Sequence, residues 1–161
     1  INNTIAYNSS DGIYFRDNTN YTTNGTTNIS GNIIVYNGTY GLDLSAHSEN
    51  ISYNNVYGNS TNYVNCSPDT GNISFNPLFI DQSAGNYALQ STSYCIDSGI
   101  PGEPNNDPDG TRNDMGAYSG PASAAFWPYI PRGPVVTEID ITPASVPRGG
   151  TITIKAKGRV Q

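Results

Sequence analysis

The chain is short of charge, and shortest of bases. Only 12% of its 161 residues are charged, with 7 Lys or Arg against 13 Asp or Glu. A net charge of −6 leaves no basic footprint for nucleic acid. Residues 1–120 carry 11 acids and 2 bases, Arg16 and Arg112, whereas residues 121–161 carry 2 acids and 5 bases. An acidic body with a basic tail suits head-to-tail self-association; ordinary variation of solvent-facing charge is the plainer account. The one histidine, His47, sits in the polar stretch Ser45-Ala46-His47-Ser48 and has no neighbour that suggests a triad or a metal site. No run of 18 apolar residues exists, so no helical membrane span is expected. Sustained 3.6-residue periodicity is absent as well, which argues against amphipathic helices. No secretory leader is visible; the chain opens directly on a repeat, and an upstream part is expected to be missing or removed.

What is present is that repeat. Asn3-Thr4-Ile5-Ala6-Tyr7-Asn8 reads like Asn32-Ile33-Ile34-Val35-Tyr36-Asn37, and both read like Asn54-Asn55-Val56-Tyr57-Gly58-Asn59. The spacing is 29 residues from Ile5 to Ile34 and 22 from Ile34 to Val56. Each run is followed by a second: Gly12-Ile13-Tyr14-Phe15, Gly41-Leu42-Asp43-Leu44 and Asn62-Tyr63-Val64-Asn65. Alternation such as Ile13 and Phe15 about Tyr14, or Leu42 and Leu44 about Asp43, puts apolar side chains on one strand face. Strand-sized repeats joined by Asn, Gly, Ser and Thr turns predict an all-β solenoid of stacked short strands. The recurrent Asn predicts a ladder of side-chain amides from one repeat to the next, with ligand contact as the functional alternative. Tyr7, Tyr14, Tyr36, Tyr40, Tyr57 and Tyr63 recur with the repeat. They are expected to pack between repeats, or else to form an outward stripe on which sugar rings stack.

Asn-x-Ser/Thr occurs at Asn2, Asn8, Asn20, Asn24, Asn28, Asn37, Asn50, Asn59, Asn65 and Asn72. Ten such sites exceed the roughly four that random placement of these residues would give, which marks a candidate glycoprotein; turn composition repeating with the strands gives the same excess. Cys66 and Cys95 are the only cysteines. A disulfide between them is expected, closing a loop of about thirty residues for roughly 3 kcal/mol; two buried free thiols are the alternative.

Residues 66–120 change character: Asn72-Ile73-Ser74-Phe75-Asn76-Pro77-Leu78-Phe79, Tyr87-Ala88-Leu89, Ser93-Tyr94-Cys95-Ile96-Asp97-Ser98-Gly99, then Asp107-Pro108-Asp109-Gly110-Thr111-Arg112-Asn113-Asp114-Met115-Gly116-Ala117. This order of motifs resembles the carboxy-terminal end of the right-handed parallel β-helix repeat proteins of the pectate-lyase-like superfamily, found on bacterial and archaeal surfaces. The resemblance covers residues 1–118. It implies a right-handed parallel β-helix of about three coils with a C-terminal cap, in an extracellular or cell-surface setting. Phe79, Leu78, Tyr87 and Leu89 would supply the apolar cover of the cap, with Pro77 and Pro108 stopping further pairing. Residue 1 sits at the start of a repeat, so that end is expected to be covered by missing sequence or another molecule.

Asp107, Asp109, Asn113 and Asp114 are calcium candidates, since oxygen ligands in a Gly-containing turn suit that ion. No other metal or cofactor is expected, and a salt bridge from Arg112 to one of these carboxylates is the preferred reading. Catalytic residues are not expected. Polysaccharide lyases on such a fold use a base beside a uronate, and residues 1–65 hold Arg16 and no Lys. Hydrolases need converging carboxylates, for which Asp11, Asp17 and Asp43 are the candidates; ordinary solvent-facing turn acids are the plainer reading.

Residues 119–134 read as a Pro-rich linker in which Phe126, Trp127, Tyr129 and Ile130 must pack on the body or on a partner. Residues 135–161 read as two strands, through Val136, Ile139 and Ile141 and then Ile152 and Ile154. They resemble the opening strands of bacterial immunoglobulin-like domains, which implies an incomplete sandwich that is truncated or borrows strands from another chain. Together these readings give the expectation of a non-enzymatic structural or adhesive surface protein, such as a filament or surface-layer subunit assembling by strand donation from the tail. Its partners would be its own copies, further domains of the same polypeptide, or glycans. The alternative is a carbohydrate-binding or polysaccharide-degrading module of a larger secreted enzyme.

Overall fold

The computed structural model describes residues 1–16, 26–45, 49–123, 135–142, 151 and 153–159. Asp17, Asn20, Asn24, His47, Phe126, Trp127, Tyr129, Ile130 and Ile152 lie outside them. The chain divides into two compact units, Ile1–Pro128 and Tyr129–Gln161.

In the first unit the repeat spacing becomes strand register. β1 (Thr4–Ala6), β4 (Ile33–Val35) and β7 (Asn55–Tyr57) form a parallel sheet in which Ile5, Ile34 and Val56 are direct neighbours. β2 (Ile13–Arg16), β5 (Tyr40–Ser45) and β8 (Thr61–Val64) form a second, with Ile13, Leu42 and Tyr63 in line. β3 (Thr27–Ser30) and β6 (Glu49–Ser52) pair as a third, with Ile29 beside Ile51. Strand alternation sends one residue of each pair inward. The core is therefore Ile29, Ile34, Leu42, Leu44, Ile51 and Val56, with Ile5, Ile13, Tyr63 and Cys66 packed against it. Each fully buried Leu or Ile contributes about 1.5–3 kcal/mol.

The turns obey a second regularity. Tyr7, Tyr36 and Gly58 follow the three strands of the first sheet, and all have left-handed φ values of 59°, 57° and 67°. Asn2, Gly31, Tyr53 and Gly71 form a parallel column, also with positive φ. A β-carbon at Gly58 would meet the Tyr36 ring, and one at Gly71 would meet the Tyr53 ring. Glycine at one level thus makes room for the aromatic ring of the level before.

Residues 66–123 add no further parallel strand beyond an isolated bridge from Asn55 to Ile73. β9 (Phe79–Asp81) and β10 (Asn86–Leu89) pair antiparallel across a 3-10 turn at Gln82–Ala84. The chain then returns to the first sheet. Met115 N–H donates to Cys95 O at 2.9 Å, Gly116 N–H to Gly31 O at 2.7 Å, and Ala117 N–H to Thr4 Oγ1 at 3.1 Å. Ile33 and Met115 are 1% exposed and Asn55 and Cys95 are fully buried, so the outward side of this sheet is covered too.

The expectation of a right-handed parallel β-helix with about three coils and a terminal cap is corrected by these pairings. The described strands fall into separate sheets of two or three strands, two of them antiparallel pairs. The spacings shorten from 29 to 22 residues, and after Val64 no described strand joins the parallel sheets. The segment expected to cover an end runs instead along a sheet face, where Thr4, Gly31 and Asn55 are its partners. What stands is an all-β fold, with no α-helix among the described residues.

The second unit contributes β11 (Val135–Thr142) and β12 (Thr153–Arg159), an antiparallel pair with Ile141 opposite Ile154 and a register shift between Val136 and Glu138. Val136 and Ile139 lie opposite Gly158 and Ala156.

Candidate functional site

The recurrent asparagines bind one another. Asn3 N–H and Nδ2 donate to Asn32 Oδ1 at 2.9 and 3.1 Å; Asn32 donates likewise to Asn54 Oδ1 at 3.0 and 2.8 Å, and Asn54 to Asn72 Oδ1 at 3.0 Å from each. A second column runs from Asn8 through Asn37 to Asn59. The side-chain amide satisfies backbone N–H groups where the chain leaves and enters strands. Six glycosylation candidates, Asn8, Asn28, Asn37, Asn59, Asn65 and Asn72, already use the Nδ2 that a glycan would occupy. Asn65 Nδ2 donates to Asp43 Oδ1 at 2.8 Å, and Asn2 Oδ1 accepts from Asn113 at 3.5 Å. Asn28 and Asn50 are exposed register neighbours on β3 and β6.

Cys66 and Cys95 are free thiols, which corrects the expected disulfide. Cys66 packs against the core, whereas Cys95 is buried on the far side of the first sheet and accepts from Asn55 Nδ2 at 3.1 Å. Burial pushes the Cys95 thiol up to about 11 and raises that of Cys66 as well.

Three of the four calcium candidates, Asp107, Asp109 and Asp114, accept backbone hydrogen bonds. Asp107 accepts from Asp114 N–H at 2.8 Å and Gly120 N–H at 2.5 Å, and Asp114 accepts from Asp97 N–H at 2.8 Å. Asp109 accepts from Thr111. Asn113 Oδ1 is buried with no hydrogen-bond partner. Among the described residues no group of three or more His, Cys, Asp or Glu is gathered for a metal. Burial raises the carboxyl pKa values to about 6 at Asp107 and about 8 at Asp114. Arg112 does not pair with these acids. It donates to Gly99 O at 2.7 and 3.0 Å and lies 5.6 Å from the Tyr53 ring centroid.

The acids considered for hydrolysis have separate partners. Asp43 is 4% exposed, accepts from Asn65 and lies 3.7 Å from Arg16 Nη2. Asp11 Oδ1 accepts from Thr39 Oγ1 and from Tyr40 N–H. No helix among the described residues is long and apolar enough to cross a membrane.

Of the six recurring tyrosines, three pack ring on ring between repeats, whereas Tyr14 and Tyr40 are exposed. Tyr7 and Tyr36 lie 5.1 Å apart at 21°, and Tyr57 meets Tyr36 edge-on at 5.8 Å. Beside this stack opens a groove of about 390 Å³. Its polar lining is Tyr36, Asn76, Asp81, Gln82, Ser83 and Gln90; Leu78 and Ile80 add apolar surface. The Tyr7 hydroxyl donates to Gln82 Oε1 at 2.5 Å, tying the stack to the 3-10 turn. The sequence offered no local motif for this groove, since its lining brings Tyr36 together with residues 76–90.

An all-β body of short parallel sheets with an open polar groove is the class that this geometry defines. No protein-family model, curated protein or solved structure matches the chain. Membership in the pectate-lyase-like superfamily, and the likeness of the tail to immunoglobulin-like domains, are accordingly withdrawn: the motif order has no counterpart in any comparison, and the tail is described only as a two-stranded hairpin.

Proposed function

We propose that the protein is a non-enzymatic structural or adhesive protein of the cell surface or extracellular space, whose work is to be joined to copies of itself or to further domains. The observation that carries this reading is what the polar side chains do. Two columns of asparagine are bonded from strand to strand, and Asp11, Asp107 and Asp114 hold backbone amides. Such side chains stiffen a scaffold. The joint is assigned to the β11–β12 hairpin, because a two-stranded sheet is marginal in water and, among the described residues, no third strand joins this pair. Adding a strand to a neighbour is a general recognition mode.

Light scattering on the full chain and on a chain lacking residues 135–161 tests the proposal. Assembly is expected for the full chain alone; equal particle sizes would count against it. Turnover of an acidic polysaccharide that Asp43→Asn abolishes would replace this reading with an enzymatic one.

A further inference from the structure

We infer that the groove between the tyrosine stack and the β9–β10 hairpin binds a neutral sugar residue of a glycan or polysaccharide, and excludes carboxylated sugars. Each of its planar side chains is fixed by a bond at one pole. Asn76 Oδ1 accepts from Leu78 N–H at 3.0 Å, and Asp81 Oδ1 accepts from Ser83 Oγ at 2.6 Å and Ala84 N–H at 3.2 Å. Gln82 Oε1 accepts from Tyr7, and Gln90 Nε2 donates to Phe79 O at 2.9 Å. The opposite poles, Asn76 Nδ2, Gln82 Nε2 and Gln90 Oε1, have no protein partner among the described residues, and the Asp81 carboxylate, which also takes the Ser83 backbone N–H, lies beside them. The result is two donors and one acceptor next to a carboxylate, held before any ligand arrives.

That set matches a polyhydroxyl ring. Carboxamides and carboxylates bridge adjacent hydroxyls, while Leu78 and Ile80 offer apolar surface to the C–H faces of a sugar. Prior fixing of the side chains lowers the ordering cost of binding. The bonds from Ser83 and Ala84 also hold the Asp81 carboxyl below its ordinary range, so it stays ionised. No Lys or Arg lines the groove, and a uronate would bring its negative charge to Asp81. This site is independent of the assembly proposed above, and the binding test reads neither particle size nor the β11–β12 hairpin.

The test is a ¹H–¹⁵N NMR titration of the full chain with maltotriose, cellotriose and mannotriose, and with trigalacturonate as the charged probe. At least one neutral trisaccharide is expected to shift the side-chain amide signals of Gln82 and Gln90, and trigalacturonate to leave them in place. Gln82→Ala alters an exposed side chain and is expected to weaken binding about tenfold, as for loss of one polar contact. Gln90→Ala gives the second reading of the same loss. Signals unmoved by every neutral probe, equal binding of trigalacturonate, or unchanged affinity in both variants would each overturn the inference.

Discussion

The Tyr36 ring lies against Gly58, at a place where a β-carbon would approach Tyr36 Cδ1 to 2.7 Å. Both residues hold left-handed backbone, and they belong to one column of the fold. Gly58→Ala therefore meets two penalties, a strained φ of 67° and a collision with a stacked ring. A loss of about 2–4 kcal/mol is expected by denaturant unfolding. Gly85→Ala is the control: its φ is 74° but nothing lies within 4 Å of the added carbon, so about 1 kcal/mol is expected.

Asn54 is the most heavily bonded member of its column. It is fully buried, its Oδ1 accepts twice from Asn32, and its Nδ2 donates to Ile29 O, Ser52 O and Asn72 Oδ1. Asn54→Ala leaves buried donors and acceptors without partners and is expected to cost about 3 kcal/mol or more. Asn8→Ala, at an exposed position, is expected to cost about 1 kcal/mol or less in the same assay.

The Asp107–Asp114 pair sets a pH dependence. Burial raises both folded-state pKa values above the ordinary carboxylate value, to about 6 and about 8. The folded protein then keeps protons that the unfolded chain has lost, so the associated stabilisation is complete below about pH 4 and fades as pH rises toward 8. Asp114→Asn removes the charge and keeps an oxygen for Asp97 N–H. This variant is expected to be about 1–3 kcal/mol more stable than the parent at pH 8, with a flatter profile from pH 4 to 8. Melting curves across that range check both statements; a parallel profile for the two proteins would refute them.

Thiol chemistry offers an independent check on the second layer over the first sheet. Both cysteines are expected to be reduced in native material, with Cys66 alkylated before the fully buried Cys95 and both alkylated after denaturation. An intact mass lighter than the dithiol form by two hydrogen atoms would show a linkage that these positions do not make.

Local pattern carried the sequence reading as far as neighbouring strands. The alternation about Tyr14 and Asp43 and the 29- and 22-residue spacings are legible because strand register needs only period two and a recurring turn. The asparagine columns follow from the same spacing. The partners of Asn113 and Ala117 do not, since these residues meet Asn2 and Thr4 across 111 and 113 positions. Arg112 was expected beside an acid for want of any signal that Gly99 carbonyl and the Tyr53 ring would meet it. Cys95 was assigned to Cys66 because spacing cannot tell which side of a sheet a returning segment takes. The groove residues Gln82 and Gln90 lay inside a stretch read only as cover.

The asparagine columns also have a direction. In every link the amide nitrogen of one residue points to the oxygen of the next, from Asn3 to Asn32, Asn54 and Asn72. Four carboxamide dipoles thus lie head to tail, and each polarises its neighbours. The body acquires an electrical polarity from uncharged side chains alone: an electron-rich pole at Asn3 and an electron-poor one at Asn72, fixed by the same bonds that set its spacing.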